Sequence, residues 1–351
     1  MQSNGNSQIA GQLTKINILV NILKIKVNAM KGQMLKALRE CSDYLSGEML
    51  SNKLGTSRVS IWKQIRSLKK DGYIIEASPK GYKLISAPDL LLPYEFPDLE
   101  QRIHYFPEIG STMDAARELA KKGAGEGTIV IAEVQTHGRG RLRREWLSPK
   151  GGIYFNLLLR PRISPAYAPR INLMASVAVA ATIKKLFGLK AELKWPNDVL
   201  IEGKKLCGIL ADMDAEMDVV NFVNLGIGIN ANTSIPQFEK TATSLKDALG
   251  KEISRKEFVS VLLMEIERQQ PLLMKADLLE EWKKLSVTLN KDVRIVAPGE
   301  VIIGRAIDID TTGALIVKER DGSLKKAMAG DCIHLWKEEA PNTDIRTVSR
   351  Q

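Results

Sequence analysis

The chain has 351 residues, 44% hydrophobic and 26% charged, which supports two or three cored domains and excludes collagen-like, disordered and membrane-embedded classes. Cys41, Cys207 and Cys332 stand far apart, with no CxxC or His-rich spacing around them, so they read as reduced thiols outside any disulfide framework or zinc site. The net charge of +10 is concentrated: residues 1–88 hold 14 Lys and Arg against 5 Asp and Glu, leaving 37 against 36 for the rest, so a polyanion partner is expected of the first part alone.

Residues 1–30 open on a polar run and read as an N-terminal extension, with Met30 as a candidate internal start ahead of the first helical pattern. The apolar run at 16–27 is broken by Asn21, Lys24 and Lys26. It is far shorter than the ~20 residues of a membrane span, and it lacks the order of a secretion signal. The expected location is the cytoplasm, with no membrane partner.

Over 31–86 three helical segments follow one another, with Ser46 and Ser57 as N-caps of the second and third. In the third, Ile61, Ile65 and Leu68 share one side, while Ser60, Lys63, Arg66, Ser67 and Lys70 share the other. A two-stranded wing turning at 79–81 follows, giving a winged helix-turn-helix. Arg58, Ser60 and Lys63 are expected at base edges of DNA, and Arg66, Lys70, Lys80 and Lys83 at phosphates. One such helix gives little specificity, so a homodimer on a palindromic site is expected. The stretch 87–97 has three prolines and reads as a linker.

A second domain over 98–288 starts with a strand at 103–106 and a helix for which Ser111 and Asp114 have capping-box spacing. Strands, a long helix at 170–187 and hairpin-spaced strands through residue 230 make a mixed α/β sheet domain rather than a doubly wound one. Short strands with Gly turns over 289–338 predict a small β-barrel, and 339–351 is a tail.

Two stretches carry chemistry. In the loop 136–151, Gly138, Arg139, Gly140, Arg141, Arg143 and Arg144 crowd together; glycines let the backbone approach an anion, and guanidinium groups neutralise carboxylate or phosphate. The loop is neither a Walker loop nor a dinucleotide fingerprint. It is expected to be mobile when empty and to order around an anion. The second stretch is KWPND at 194–198 followed by KLCGIL at 205–210.

Together, GRGR with Trp146, KWPND and KLxGIL resemble the biotin protein ligase family, and with the winged helix the chain resembles its bifunctional ligase and biotin-operon repressor class, over residues 31–338. The resemblance implies a class II synthetase-like central domain, an SH3-like C-terminal barrel, and a two-step reaction. Biotin and ATP, with Mg²⁺, give biotinyl-5′-AMP, and a lysine of the biotin carboxyl carrier protein of acetyl-CoA carboxylase takes the biotinyl group. It also implies operator DNA as partner, with biotinyl-AMP as corepressor.

By the same resemblance, Ser111, Thr112, Met113 and Gln135 face biotin, Arg139, Gly140, Arg141 and Lys205 meet its carboxylate and the α-phosphate, and Gly208 lets the ligand lie on its strand. Asn197, Asn230 and Trp146 hold the nucleotide, and Asp198 orients Mg²⁺ or the acceptor lysine. Arg139, Arg141, Lys205 and Asp198 form the expected catalytic set, with no resident metal site. Where the family usually has Ser-Thr-Asn this chain has Ser111-Thr112-Met113, which removes one polar biotin contact. Two alternatives remain. The intact set Arg139, Arg141, Lys194, Asp198 and Lys205 argues against a sensor without catalysis, and KWPND with KLxGIL argues against a lipoate ligase.

Overall fold

A computed structural model describes residues 28–236, 239–297 and 299–335. The extension up to residue 27 and the tail from 336 therefore lie outside the described residues. The described residues divide into two compact units, one up to 106 with 254–256, and one over 107–253 and from 257 onward.

In the first unit, α1 spans 28–40, so Met30 lies inside a helix instead of preceding one. Helix α2 (Gly47–Leu54) starts at Ser46, whose Oγ accepts from Met49 N at 3.1 Å, and α3 (Arg58–Lys70) starts at Ser57, whose Oγ accepts from Ser60 N at 3.2 Å. Each hydroxyl satisfies a donor that the first helical turn leaves free. Ile61, Ile65 and Leu68 are buried on one face of α3, and they join Met34, Leu35, Leu38 and Leu50 in the core. The wing is the antiparallel pair β1 (Ile74–Ser78) and β2 (Gly81–Ser86).

The stretch 87–97 is not a solvated linker. Leu91, Tyr94 and Phe96 are buried, and Tyr94 belongs to the winged-helix core. The Glu95 carboxylate is buried as well, accepting two bonds from Arg39 at 2.8 and 2.9 Å and one from the Tyr73 hydroxyl. The prolines fix an extended path, and the bulky apolar residues between them supply the burial that linker composition hides. The unit runs on through β3 (Ile103–Phe106), so its border falls after residue 106 and not within 87–97.

The second unit holds α4 (Thr112–Lys121), β4 (Ile129–Ala132), β5 (Ile153–Leu159), α5 (Pro169–Phe187), β6 (Glu192–Lys194), β7 (Asp198–Ile201), β8 (Lys204–Glu216) and β9 (Val219–Ile229). Its sheet runs β4-β5-β9-β8-β7-β6, with antiparallel neighbours throughout. Every residue of β5 is buried, and α5 buries twelve of its residues. Helices α6 (Leu245–Leu249), α7 (Arg255–Gln269) and α8 (Ala276–Leu285) follow.

The C-terminal strands β10 (Asp292–Ala297), β11 (Glu300–Ile309), β12 (Leu315–Lys318), β13 (Leu324–Ala327) and β14 (Asp331–His334) form an antiparallel sheet in the order β13-β12-β11-β10-β14. This sheet belongs to the same compact unit as the central one. Among the described residues, no helix is long and apolar enough to cross a membrane.

Candidate active site and nucleic-acid face

The second unit has an open cavity of about 150 Å³ whose walls come from α4, the Arg-rich loop, β5, β7, β8, β9 and the start of β14. Of the residues singled out in the sequence, Thr112, Met113, Gln135, Arg139, Gly140, Arg141, Trp146, Asn197, Asp198, Lys205 and Gly208 line it. Asn230 instead lines a second cavity together with Trp146, Lys205 and Thr233. Ser111 lines neither of these two cavities.

The start of α4 departs from the expected capping box. Ser111 occupies the N-cap position without a side-chain bond to the helix, and its Oγ is buried without a partner. The cap comes from across the sheet: Gln135 Oε1 accepts from Thr112 N at 2.8 Å and from Thr112 Oγ1 at 2.9 Å, while its Nε2 donates to Ser148 Oγ at 2.9 Å. Asp114, released from capping, pairs with Arg139 at 2.8 Å.

Arg141 is the most constrained cation of the loop. One guanidinium nitrogen donates to Asn197 Oδ1 and both donate to the Gly330 carbonyl, each at 3.2 Å. Asn197 is itself held by its Nδ2 bond to the Ile209 carbonyl at 2.9 Å. Burial lowers the pKa of Arg141 from its ordinary value, opposed by the charges of Asp331 and Asp198; a guanidinium stays protonated all the same. Arg144 pairs with Asp331. Leu142 and Arg143 take left-handed φ values of 53° and 62°, a strained backbone of the kind that collects at ligand-binding loops.

Lys205 Nζ lies 2.8 Å from Asp198 Oδ1 and 5.4 Å from the centroid of the Trp146 ring. The indole rests on two glycines: a Cβ on Gly228 would come within 2.6 Å of its Nε1, and one on Gly208 within 2.9 Å of its Cζ3. The residue expected to make room for a ligand, Gly208, thus makes room for Trp146 in this structure. Sequence reasoning gave no role to Gly226 and Gly228, and it missed Asn156 and Asp331; all four line the cavity, from β9, β5 and the C-terminal sheet.

This arrangement gathers Arg139, Arg141, Arg144 and Lys205 at one opening, beside an apolar wall of Met113, Phe155, Ile209 and Ile227. Fixed positive charge next to an apolar pocket is suited to bringing two anions together while one carries a hydrophobic body.

On the first unit, α3 exposes Val59, Trp62, Lys63 and Arg66, which share one side at helical spacing. Arg66 sits 5.5 Å from the centroid of the Trp62 ring. Arg58 pairs with Glu48, and the half-buried Ser60 donates to Met30 Sδ at 3.5 Å. The exposed face therefore holds Arg58, paired with Glu48, together with Trp62, Lys63 and Arg66, while Ser60 contributes less to it. Trp62 was missed because periodicity marks it only as a non-core position.

Comparison with known proteins agrees with this layout. Family models match at residues 31–83 (HTH domain), 105–230 (Biotin/lipoate A/B protein ligase family) and 288–335 (Biotin protein ligase C terminal domain). The chain is 36% identical over 305 residues to the bifunctional ligase/repressor BirA of Bacillus subtilis, covering 83% of this chain and 94% of that one. It is 31% identical over 315 residues to the protein of the same name in Escherichia coli, covering 85% and 95%. The structure of a biotin protein ligase from Aquifex aeolicus in complex with biotin and ATP superposes with a TM-score of 0.57 at 28% identity, covering 66% of this chain and 97% of that one.

Proposed function

The chain belongs to the biotin protein ligase family, in its form with an N-terminal helix-turn-helix, and we propose that its main cavity makes biotinyl-5′-AMP and passes biotin to a carrier lysine. The convergence of Arg139, Arg141 and Lys205 on one apolar-walled cavity carries this reading. In the first step a biotin carboxylate oxygen bonds to the α-phosphorus of ATP, and the bond from that phosphorus to the bridging oxygen of pyrophosphate breaks. Two anions approach each other, so the guanidinium and ammonium groups offset repulsion and take up the charge on the phosphoryl oxygens. Asn197 and the Gly330 carbonyl hold Arg141 at the cavity, so little reorganisation is left for the reaction itself.

The second cavity, past Trp146, suits the nucleoside end, with Asn230 and Thr233 on its wall. In the second step the lysine amine of the biotin carboxyl carrier protein of acetyl-CoA carboxylase bonds to the activated carbonyl carbon and AMP leaves. Mg²⁺ would neutralise ATP phosphate charge. It would be held mainly by phosphate oxygens and water, with Asp198 the carboxylate available to it or, later, to the acceptor lysine. We place this reaction in the cytoplasm.

The winged helix gives the second activity, repression. The exposed basic side of α3 and the wing residues Lys80 and Lys83 would meet operator DNA, and a homodimer favoured by biotinyl-AMP would span two half-sites. Acceptor protein that consumes the adenylate would relieve repression. ATP–pyrophosphate exchange with biotin and with lipoate tests the catalytic reading: exchange with biotin alone is expected, exchange with lipoate would make it a lipoate ligase, and exchange with neither would leave a sensor.

A further inference from the structure

Asn156 is fully buried on β5 and lines the main cavity. Its amide orientation follows from its neighbours. Asn224 on β9 donates from Nδ2 to the Met113 carbonyl at 2.8 Å, which turns Asn224 Oδ1 toward Asn156. Asn156 must then donate, and its Nδ2 meets Asn224 Oδ1 at 2.7 Å. The relay fixes both amides and leaves one atom over, Asn156 Oδ1, buried without a partner. Gly226, opposite Asn156 on β9, keeps this corner open: a Cβ there would stand 3.1 Å from Asn156 Nδ2 and 3.3 Å from Met113 Cγ.

An amide oxygen buried without a donor is destabilising until a donor arrives. The other amide oxygens lining the cavity are already used: Gln135 Oε1 accepts twice from Thr112, and Asn197 Oδ1 accepts from Arg141. The carboxylates Asp198 and Asp331 are paired with cations. A cyclic urea brings two N–H donors into such a pocket, and each needs a neutral acceptor there. Resting on the biotin reading above, we propose that Asn156 Oδ1 accepts a hydrogen bond from one ureido N–H of biotin, standing in for the polar contact absent at Met113. Asn224 is then a positioning residue, holding Asn156 in the orientation that presents its oxygen.

The test pairs a residue change with a ligand change. Wild type and Asn156→Ala are assayed in pyrophosphate exchange with biotin and with its two N-methyl isomers, each of which lacks one donor. Wild type should reject one isomer by about a hundredfold in kcat/KM, since a site built to bond a polar group discriminates strongly against its loss. Asn156→Ala should raise the KM for biotin, leave the KM for ATP unchanged, and lose most of the rejection of that one isomer. Because selectivity is a ratio, it is independent of how much of the variant folds, and Asn224→Leu should move it in the same direction. Rejection of both isomers that is equal in wild type and Asn156→Ala would overturn the proposal while leaving the ligase intact. Failure of wild type to support any exchange with biotin would instead overturn the biotin reading itself.

Discussion

The arginines of the 139–144 loop and the basic side chains of α3 carry the same charge in opposite settings. Arg141 is partly desolvated and held by Asn197 and Gly330, contacts from residues 56 and 189 positions away. Lys63 and Arg66 stand in solvent on a helix whose own period presents them. A cation fixed in a cavity acts on one developing charge at short range, whereas exposed cations act as a field that salt screens. Under the proposed function, the same residue types would serve catalysis in one unit and polyanion attraction in the other, with the surroundings deciding which.

The sharpest way to break this contrast is to remove cavity cations. Arg141→Ala and Lys205→Ala should each lower biotin adenylation by about two to three orders of magnitude, the scale of losing one preorganised stabiliser; near-normal turnover in both would place the chemistry elsewhere. Gly228→Ala leaves every charge in place and drives a methyl to 2.6 Å from Trp146 Nε1. Displacing the indole should cost up to about a hundredfold in kcat/KM, because small misplacements at a reacting centre are expensive, and the measured ratio shows how far Trp146 shapes the site. On the other unit, Lys63→Ala should weaken binding to all DNA sequences and reduce the slope of log affinity against log salt by about one. An unchanged slope would remove Lys63 from the interface.

The fold was legible where local pattern decides it. Ser46, Ser57 and the Ile61, Ile65, Leu68 stripe announce the helices of the first unit before any tertiary contact is known. The stretch 87–97 misled because proline content was weighed above the apolar residues between the prolines. In the cavity, Arg139 and Arg141 stood out through the crowding of Gly and Arg in their loop, whereas Lys205 was visible only through motif resemblance. Asp331 and Gly330 approach the loop from nearly two hundred residues away, and Asn156 reads in sequence as one polar residue in an apolar strand. Only the sheet register sets it against Gly226, the placement on which its proposed role rests.

The smallest effect concerns a histidine under the same desolvation that acts on Arg141. Burial, with Lys194 and Lys291 nearby, lowers His334 to about 4, while in the unfolded chain it titrates near ~6.5. The folded state binds this proton more weakly than the unfolded chain. Its contribution to stability is therefore complete above pH ~6.5 and is lost as pH falls toward the folded value. Thermal unfolding across pH 4–7 should show a slope that His334→Gln flattens; identical slopes would mean that acid enters elsewhere.

In the proposed function the adenylate made in one unit governs DNA binding by the other, and a gel-shift titration of biotin-gene upstream DNA puts this coupling to the test. Wild type and Arg141→Ala are each titrated with and without biotin plus ATP. Tight, ligand-dependent binding is expected for wild type only, although α3 is identical in both. Binding that ignores the ligands, or that survives unchanged in Arg141→Ala, would contradict it.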